Sequence, residues 1–308
     1  MPVEGDIRRE GLSDALPEDV RTVIHTAATV KHYGAYEYFK KINVEGTRHV
    51  ASYARRIGAQ LVHISTISVS GNAMADGNAV YRSEEEKIFT ETDYYIGQPL
   101  DNVYIRSKFE AEQAVMDEIL EHGLDAKIIR IGNLTNRTGD FRFQPNYESN
   151  AFLKRLKAIL ELGLFPDYLM LLYSEFSPVD LTAEGIVKII QYAKGQIVFH
   201  LYSNKPLYHG PMLEILRANG IALKTVTGKD FYKGVEASLR RKDREFIFKS
   251  LINDMDADGT LIYDSNIHIK NDYTVWFMAR TGFEWNEIDG DYIRGYLDYF
   301  RKAGFLHV

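Results

Sequence analysis

Three apolar segments of strand length, each closing on small or hydroxyl residues and set apart by helix-length stretches, constrain this chain most. Residues 20–30 carry the first, Val20-Arg21-Thr22-Val23-Ile24-His25-Thr26-Ala27-Ala28. A helix over about Tyr36 to Ile57 follows, with Asn43-Val44-Glu45-Gly46-Thr47 inside it. Gln60-Leu61-Val62-His63-Ile64-Ser65-Thr66 is the second strand, apolar enough to be buried on both faces. The run from Tyr104 to about Glu121 places apolar or small residues at Ala111, Val115 and Ile119, a helical period. Ala126 to Asn133 is the third strand. Strand–helix–strand–helix–strand of this kind implies a parallel sheet with right-handed crossovers. Ligands of such sheets sit at the carboxyl ends of the strands. Here those ends read His25-Thr26-Ala27-Ala28, Ser65-Thr66-Ile67-Ser68-Val69 and Arg130-Ile131-Gly132-Asn133. The polar excursion from Asn72 to Pro99 is too long for a simple connection and is expected to border a site.

Beyond Gly139 the alternation weakens. Helices are expected over 150–164 and over Leu181 to Lys194, with a short strand from Gln196 to Tyr202. The remainder is Tyr- and Phe-rich and mostly helical. The expected class is therefore α/β: an incomplete Rossmann-like parallel sheet over 1–138, then a smaller, mostly helical domain over 139–308.

Tyr104 and Lys108 stand four apart, so on a helix they share a face and both can enter one pocket. A phenol titrates near pH 10, and a neighbouring cation stabilises its phenolate, giving a general acid for an oxyanion formed by hydride transfer. The same spacing also fits a Lys stem lying along a Tyr ring on an ordinary amphipathic helix.

Composition narrows the classes. With 37 basic against 43 acidic residues the net charge is −6, which offers no general polyanion surface, so nucleic acid is not expected as a partner. The chain has no cysteine, which excludes disulfides, thiolate metal sites and a cysteine nucleophile, and fits a reducing cytoplasm. No apolar run approaches the ~18 residues of a membrane span, and Met1 to Asp6 has neither a basic nor an apolar signal region. None of the nine histidines has His-Glu-x-x-His spacing, so no metal site is expected.

The wording of these stretches resembles the extended short-chain dehydrogenase/reductase superfamily. Within it, the sequence is similar to the thioester reductase domains that end nonribosomal peptide synthetases. Val23–Ala28, Asn43–Thr47, Ile64–Val69, Tyr104–Lys108, Arg130–Asn133 and Phe176–Asp180 carry the resemblance, which covers roughly residues 5–185. It implies that Thr66 holds the carbonyl oxygen, Tyr104 donates the proton, and Lys108 lowers the phenol's pKa while bonding the nicotinamide ribose. It implies further that Asp6 and Ile7 form the strand end meeting the adenine, that Thr26, Ala27 and Ala28 (with Thr29) line the cofactor, and that Gly132 and Asn133 lie near the nicotinamide. Asn43 is expected to brace its helix against the sheet. The implied reaction is hydride transfer from NADPH to a peptidyl or aminoacyl thioester on the phosphopantetheine arm of a carrier protein, releasing an aldehyde.

One departure qualifies this. The family's opening strand and its Gly-x-x-Gly-x-x-Gly turn, which receives the pyrophosphate at a helix N-terminus, have no counterpart here. Residues 1–7 read as the end of the family's third strand, so its first two strands are missing, by shortening, excision or continuation of the polypeptide upstream. The strand ending at Ala28 should then be an exposed apolar edge, covered by repacking or by a second copy, and NADPH should bind this chain weakly or not at all. Two further readings stay open: a nucleotide-sugar epimerase or dehydratase with the same Thr, Tyr and Lys, and a non-catalytic carrier-docking remnant. Against the sugar enzyme stands Ser-Thr-Ile-Ser-Val where such enzymes carry Val-Tyr-Gly. Two lesser signals remain. Asp254 to Gly259 resembles the opening of a calcium loop but has Ser265 where a bidentate Glu belongs, so a solvated turn is expected. Lys154, Arg155 and Lys157 should form a solvated basic helix face, opposite Phe152, Leu156 and Ile159, open to an acidic carrier or a phosphate.

Overall fold

A computed structural model describes residues 3–9, 16–31, 34–71, 87–242, 244–252, 255 and 267–308. The chain begins with β1 (Thr22–His25), then a continuous helix: α1 (Tyr36–Phe39), a π-helical turn (Lys40–Glu45) and α2 (Gly46–Arg56). Next come β2 (Gln60–Thr66), a 3₁₀ turn (Ile67–Ser70), β3 (Lys87–Phe89), α3 (Val103–His122), β4 (Ala126–Ile131) and β5 (Leu134–Thr135). The second half holds α4 (Ala151–Leu162), β6 (Leu164–Pro166), β7 (Tyr173–Ser174), β8 (Ser177–Pro178), α5 (Val179–Tyr192), β9 (Val198–Leu201) and β10 (Leu207–Tyr208). It ends with α6 (His209–Ala218), β11 (Lys224–Val226), α7 (Gly228–Ser238), α8 (Glu245–Leu251), β12 (Ile267–Ile269), α9 (Asp272–Arg280) and α10 (Gly290–Lys302).

The expected parallel sheet is present, with strand order β1-β2-β4-β9. Successive residues of a strand face opposite sides, and here both sides are covered. Leu61 and Ile128 pack with Val50, Ala54 and Val115 beneath α2 and α3. Val62, Ile129 and Phe199 pack with Ile189, Met278 and Trp285 beneath α5 and the α9 end of the chain. That is why these strands are apolar without alternation. A further core joins Leu153, Phe165, Phe231, Ile247, Leu297 and Phe300 among the later helices. The sheet draws on both sides of residue 138, since β9 pairs with β4 and α5 covers it.

Several sequence expectations change in detail. The first strand is four residues long rather than spanning 20–30, and it has a neighbour, β2, on one side only among the described residues. Ile24 on it is 48% exposed. Residues 3–9 form a turn rather than a strand end: the Arg9 N–H donates to the Asp6 carbonyl at 3.0 Å. The Asp6 carboxylate is held by the Arg8 guanidinium at 2.6 Å, which keeps its pKa far below the ordinary range. Ile7 lies against Gly46 of α2. The basic helix face also divides. Lys154 is exposed, but Arg155 is buried and lines the same recess as Phe152, Leu156 and Ile159. Lys157 lies over the Phe305 ring, 4.7 Å from its centroid. The calcium-like loop falls, apart from Met255, outside the described residues.

Candidate active site

The α3 helix begins where it does because Asn102 caps it, its side-chain oxygen accepting from the N–H groups of Tyr104 (2.9 Å) and Ile105 (3.3 Å). It stops at Gly123, in the left-handed conformation. This start sets Tyr104 in the first turn, where the helix dipole favours negative charge. Thr66 is the last residue of β2, 9% exposed, and caps the 3₁₀ turn by accepting from the Ser68 N–H at 3.2 Å. The Tyr104 phenol lies beside the Thr66 hydroxyl, which favours the phenolate. The structure thus brings two of the three expected catalytic side chains together, at the carboxyl end of a central strand.

Lys108 comes up one turn later, 4% exposed. Its Nζ donates to the Ile64 carbonyl at 2.8 Å and faces His63 Nε2 at 3.4 Å, so two of its three protons are directed at β2. Burial pushes its pKa down to about 8, with Glu112 acting in the opposite sense. The expected lowering of the phenol by Lys108 is not what this arrangement displays. Burial raises the Tyr104 pKa above its ordinary 10, and the opposing influence is the neighbouring Thr66 hydroxyl.

The remaining predicted residues spread along the strand ends. Thr26 and Ala27 are exposed and Ala28 is half-buried, forming an open shelf beyond β1. Thr29 is tied down by Asn43, which accepts from its N–H (2.8 Å) and donates to its carbonyl (3.0 Å) and to Ser107 on α3 (2.8 Å). Asn43 therefore braces its helix against both β1 and α3, and it does so from the π-helical turn. Gly132 and Asn133 sit half-buried beyond β4. Asp6 and Ile7 do not join this group, for the reasons given above.

Residues that sequence reasoning missed complete the floor. Glu175 accepts from the Asn133 N–H and the Ser177 hydroxyl, and a Cβ on Gly132 would come within 2.5 Å of its Oε2. Burial raises its pKa to about 7. A charged residue immediately before Phe176-Ser177-Pro178-Val179 was the available signal. Below the site Arg130 (1%) and Glu112 (0%) form a buried ion pair at 2.7 Å. Arg130 also donates to the Asp93 carbonyl (2.9 Å) and to His200 Nε2 (3.1 Å), fastening the segment after β3 to the sheet.

A nicotinamide cofactor fits one half of this surface. Ser65 Oγ and Asn102 Nδ2 are buried without partners among the described residues beside Thr66 and Tyr104, and Lys108 retains a proton to give. The pyrophosphate half is less well served, because among the described residues β1 has a neighbouring strand on one side only. Among the described residues no cluster suited to a metal occurs, and no helix is long and apolar enough to cross a membrane.

The NAD-binding family model described as male sterility protein matches residues 1–186. Glycine betaine reductase ATRR of Emericella nidulans is 26% identical over 220 residues, which is 70% of this chain and 16% of that protein. Among solved structures, a thiolation-reductase di-domain from an archaeal non-ribosomal peptide synthetase superimposes with a TM-score of 0.84 at 32% identity. That match covers 99% of this chain and 62% of the other. The reductase domain of the Aureusimine biosynthetic cluster gives 0.73 at 27% identity, over 94% and 70%. This chain thus spans less than two thirds of the first two proteins.

Proposed function

The chain belongs to the NAD-binding male sterility protein family, oxidoreductases of the extended short-chain dehydrogenase/reductase superfamily, and from that premise we propose that it reduces a carrier-bound thioester with NADPH. The observation that carries this reading is the Tyr104 phenol beside the Thr66 hydroxyl at the end of β2, with Lys108 buried one turn behind. Thr26, Ala27, Ala28, Lys108, Gly132 and Asn133 would hold the nicotinamide and its ribose; Asp6 and Ile7, occupied with Arg8 and Gly46, would not. When bound, the cofactor supplies a hydride to the thioester carbonyl carbon. Thr66 and Tyr104 hydrogen-bond the oxygen on which charge develops, an electrostatic contribution of several kcal/mol in such sites. Tyr104 gives that oxygen its proton, and Lys108 would bond the nicotinamide ribose. The C–S bond of the resulting hemithioacetal then breaks, the sulfur leaves as the free thiol of the phosphopantetheine arm, and an aldehyde is released. Residues 139–308 would receive the acyl group and the carrier.

Likeness to a thiolation-reductase di-domain supports a carrier protein as the partner. The test uses a carrier-bound thioester with NADPH in large excess, following nicotinamide absorbance and trapping the aldehyde. Tyr104→Phe should lower the rate by roughly 10²–10⁴-fold while leaving the melting temperature close to wild type. No aldehyde from the wild-type chain at any NADPH concentration, or an unchanged rate for Tyr104→Phe, overturns the proposal.

A further inference from the structure

Behind Lys108 lies a set of polar side chains that the reaction above does not use. His63 stands on β2 three residues before Thr66 and is 1% exposed. Its Nε2 faces Lys108 Nζ at 3.4 Å, and its Nδ1 has no partner among the described residues. His25 pairs with it in register on β1, the two rings 5.3 Å apart. His25 Nε2 meets the Thr47 hydroxyl at 3.0 Å, and that hydroxyl donates to the Asn43 carbonyl at 2.6 Å. Glu112, the acid one turn beyond Lys108, is already engaged by Arg130.

The tautomer follows from the partners. An ammonium has protons to give and no lone pair, so the imidazole nitrogen facing it must accept. His63 is therefore neutral with its proton on Nδ1. A protonated His63 would place two cations in contact within a dry interior, and burial, Lys108 and His25 all hold its pKa well below the ordinary 6.5. An imidazole with one orphaned N–H is a poor space filler, because an apolar side chain would occupy the site without stranding a donor. Its presence is explained if the other nitrogen is in use.

We propose that His63 is a positioning residue for Lys108: its Nε2 and the Ile64 carbonyl together fix the ammonium against β2, aiming its remaining N–H at the end of the sheet. The proposal rests on Lys108 being the lysine that serves the cofactor and Tyr104. His63 itself touches no reacting atom in this scheme.

The experiment titrates Lys108 directly in the free chain, by the pH dependence of its trinitrobenzenesulfonate labelling, read by peptide mapping. His63→Leu removes the acceptor, so the amine should lose its proton more easily. Its labelling midpoint should fall by about one pH unit, equivalent to about tenfold more neutral amine at a given pH. His63→Gln, whose carboxamide oxygen can still accept, should stay close to wild type. Should the leucine variant fail to fold, His63→Met against His63→Gln gives the same comparison. Equal midpoints for the accepting and non-accepting variants, both folded, would overturn the proposal. The readout needs no turnover. If instead the midpoint moves as expected but Lys108→Met reduces thioester normally, the positioning of the lysine stands and the catalytic reading falls.

Discussion

A carboxyl group that accepts from the Asn133 N–H and the Ser177 hydroxyl should ionise readily, yet burial raises the Glu175 pKa to about 7 from an ordinary 4.5. Desolvation outweighs these hydrogen bonds, so the folded protein keeps a proton that the unfolded chain releases. The sign follows. Between about 4.5 and about 7 the native state binds more protons than the unfolded one, so stability falls as pH rises through that window and levels off above it. The half-buried position and the solvent beside it limit the effect to about 1–3 kcal/mol. Glu175→Gln keeps the shape and removes the titration. Its urea midpoint should gain on that of the wild type from about pH 5 to about pH 8, whatever the constant offset. Parallel curves for the two proteins would show that Glu175 is ionised throughout. The charge before Phe176 was visible in the sequence but its environment was not, because that is assembled from the residues after β4, from β8 and from the turn after β9, in contacts that span 42 and 26 positions. His63 escaped for the same reason. A histidine in an apolar strand is visible, but the lysine that gives it a role arrives from 45 residues away.

The helix from Tyr36 to Arg56 shows what a short motif specifies once an element is built around it. In Asn43-Val44-Glu45-Gly46-Thr47, Asn43 ties β1 to α3 and Thr47 meets His25. Gly46 has no side chain because Ile7 occupies the space, a Cβ there falling 2.7 Å from Ile7 Cδ1. The inward turn of Asn43 coincides with the π-helical stretch, a widening often found where a helix serves a site. Gly46→Ala should therefore cost about 1–3 kcal/mol by overpacking, in spite of alanine's better helix propensity. Ile7→Ala in the same chain should restore most of it, a coupling that urea unfolding of the four proteins of the cycle would measure. Additive losses would mean that Ile7 does not lie where Gly46 needs the room. Local signals of this kind were legible in advance: the run from Tyr104 to about Glu121 gave α3 within a residue of each end, and the expected helices over 150–164 and Leu181 to Lys194 gave α4 and α5 within two residues of theirs. The length of β1 was not. Its strand character ends at His25 because hydrogen bonding to β2 ends there, while Thr26 to Thr29 turn away to meet Asn43.

At the scale of the molecule, the parallel sheet and its marked carboxyl ends were readable because strands buried on both faces admit few sequences. Which later segments would complete the sheet was not readable, since β9 is four residues long and reaches its place through pairing with β4. The same sheet carries the last prediction. A dinucleotide needs two kinds of seat: strand ends for the nicotinamide, and main-chain N–H groups at a helix N-terminus for the pyrophosphate. The first exists here, from the Thr26–Ala28 shelf to Gly132. For the second, β1 is the last strand on its side among the described residues, and the helix that follows it starts with Tyr36-Glu37, an acidic first turn that repels phosphate. Binding energy is then drawn from the nicotinamide half alone, and affinity falls tenfold for every ~1.4 kcal/mol forgone. Calorimetry of the 308-residue chain with NADPH should give no saturable heat in the low micromolar range. Nicotinamide mononucleotide, which lacks the adenosine half, should bind within about tenfold of NADPH itself. A low micromolar Kd for NADPH with a far weaker mononucleotide would mean that the pyrophosphate has a seat in this chain, and that the edge at β1 is not where the cofactor's adenosine half is lost.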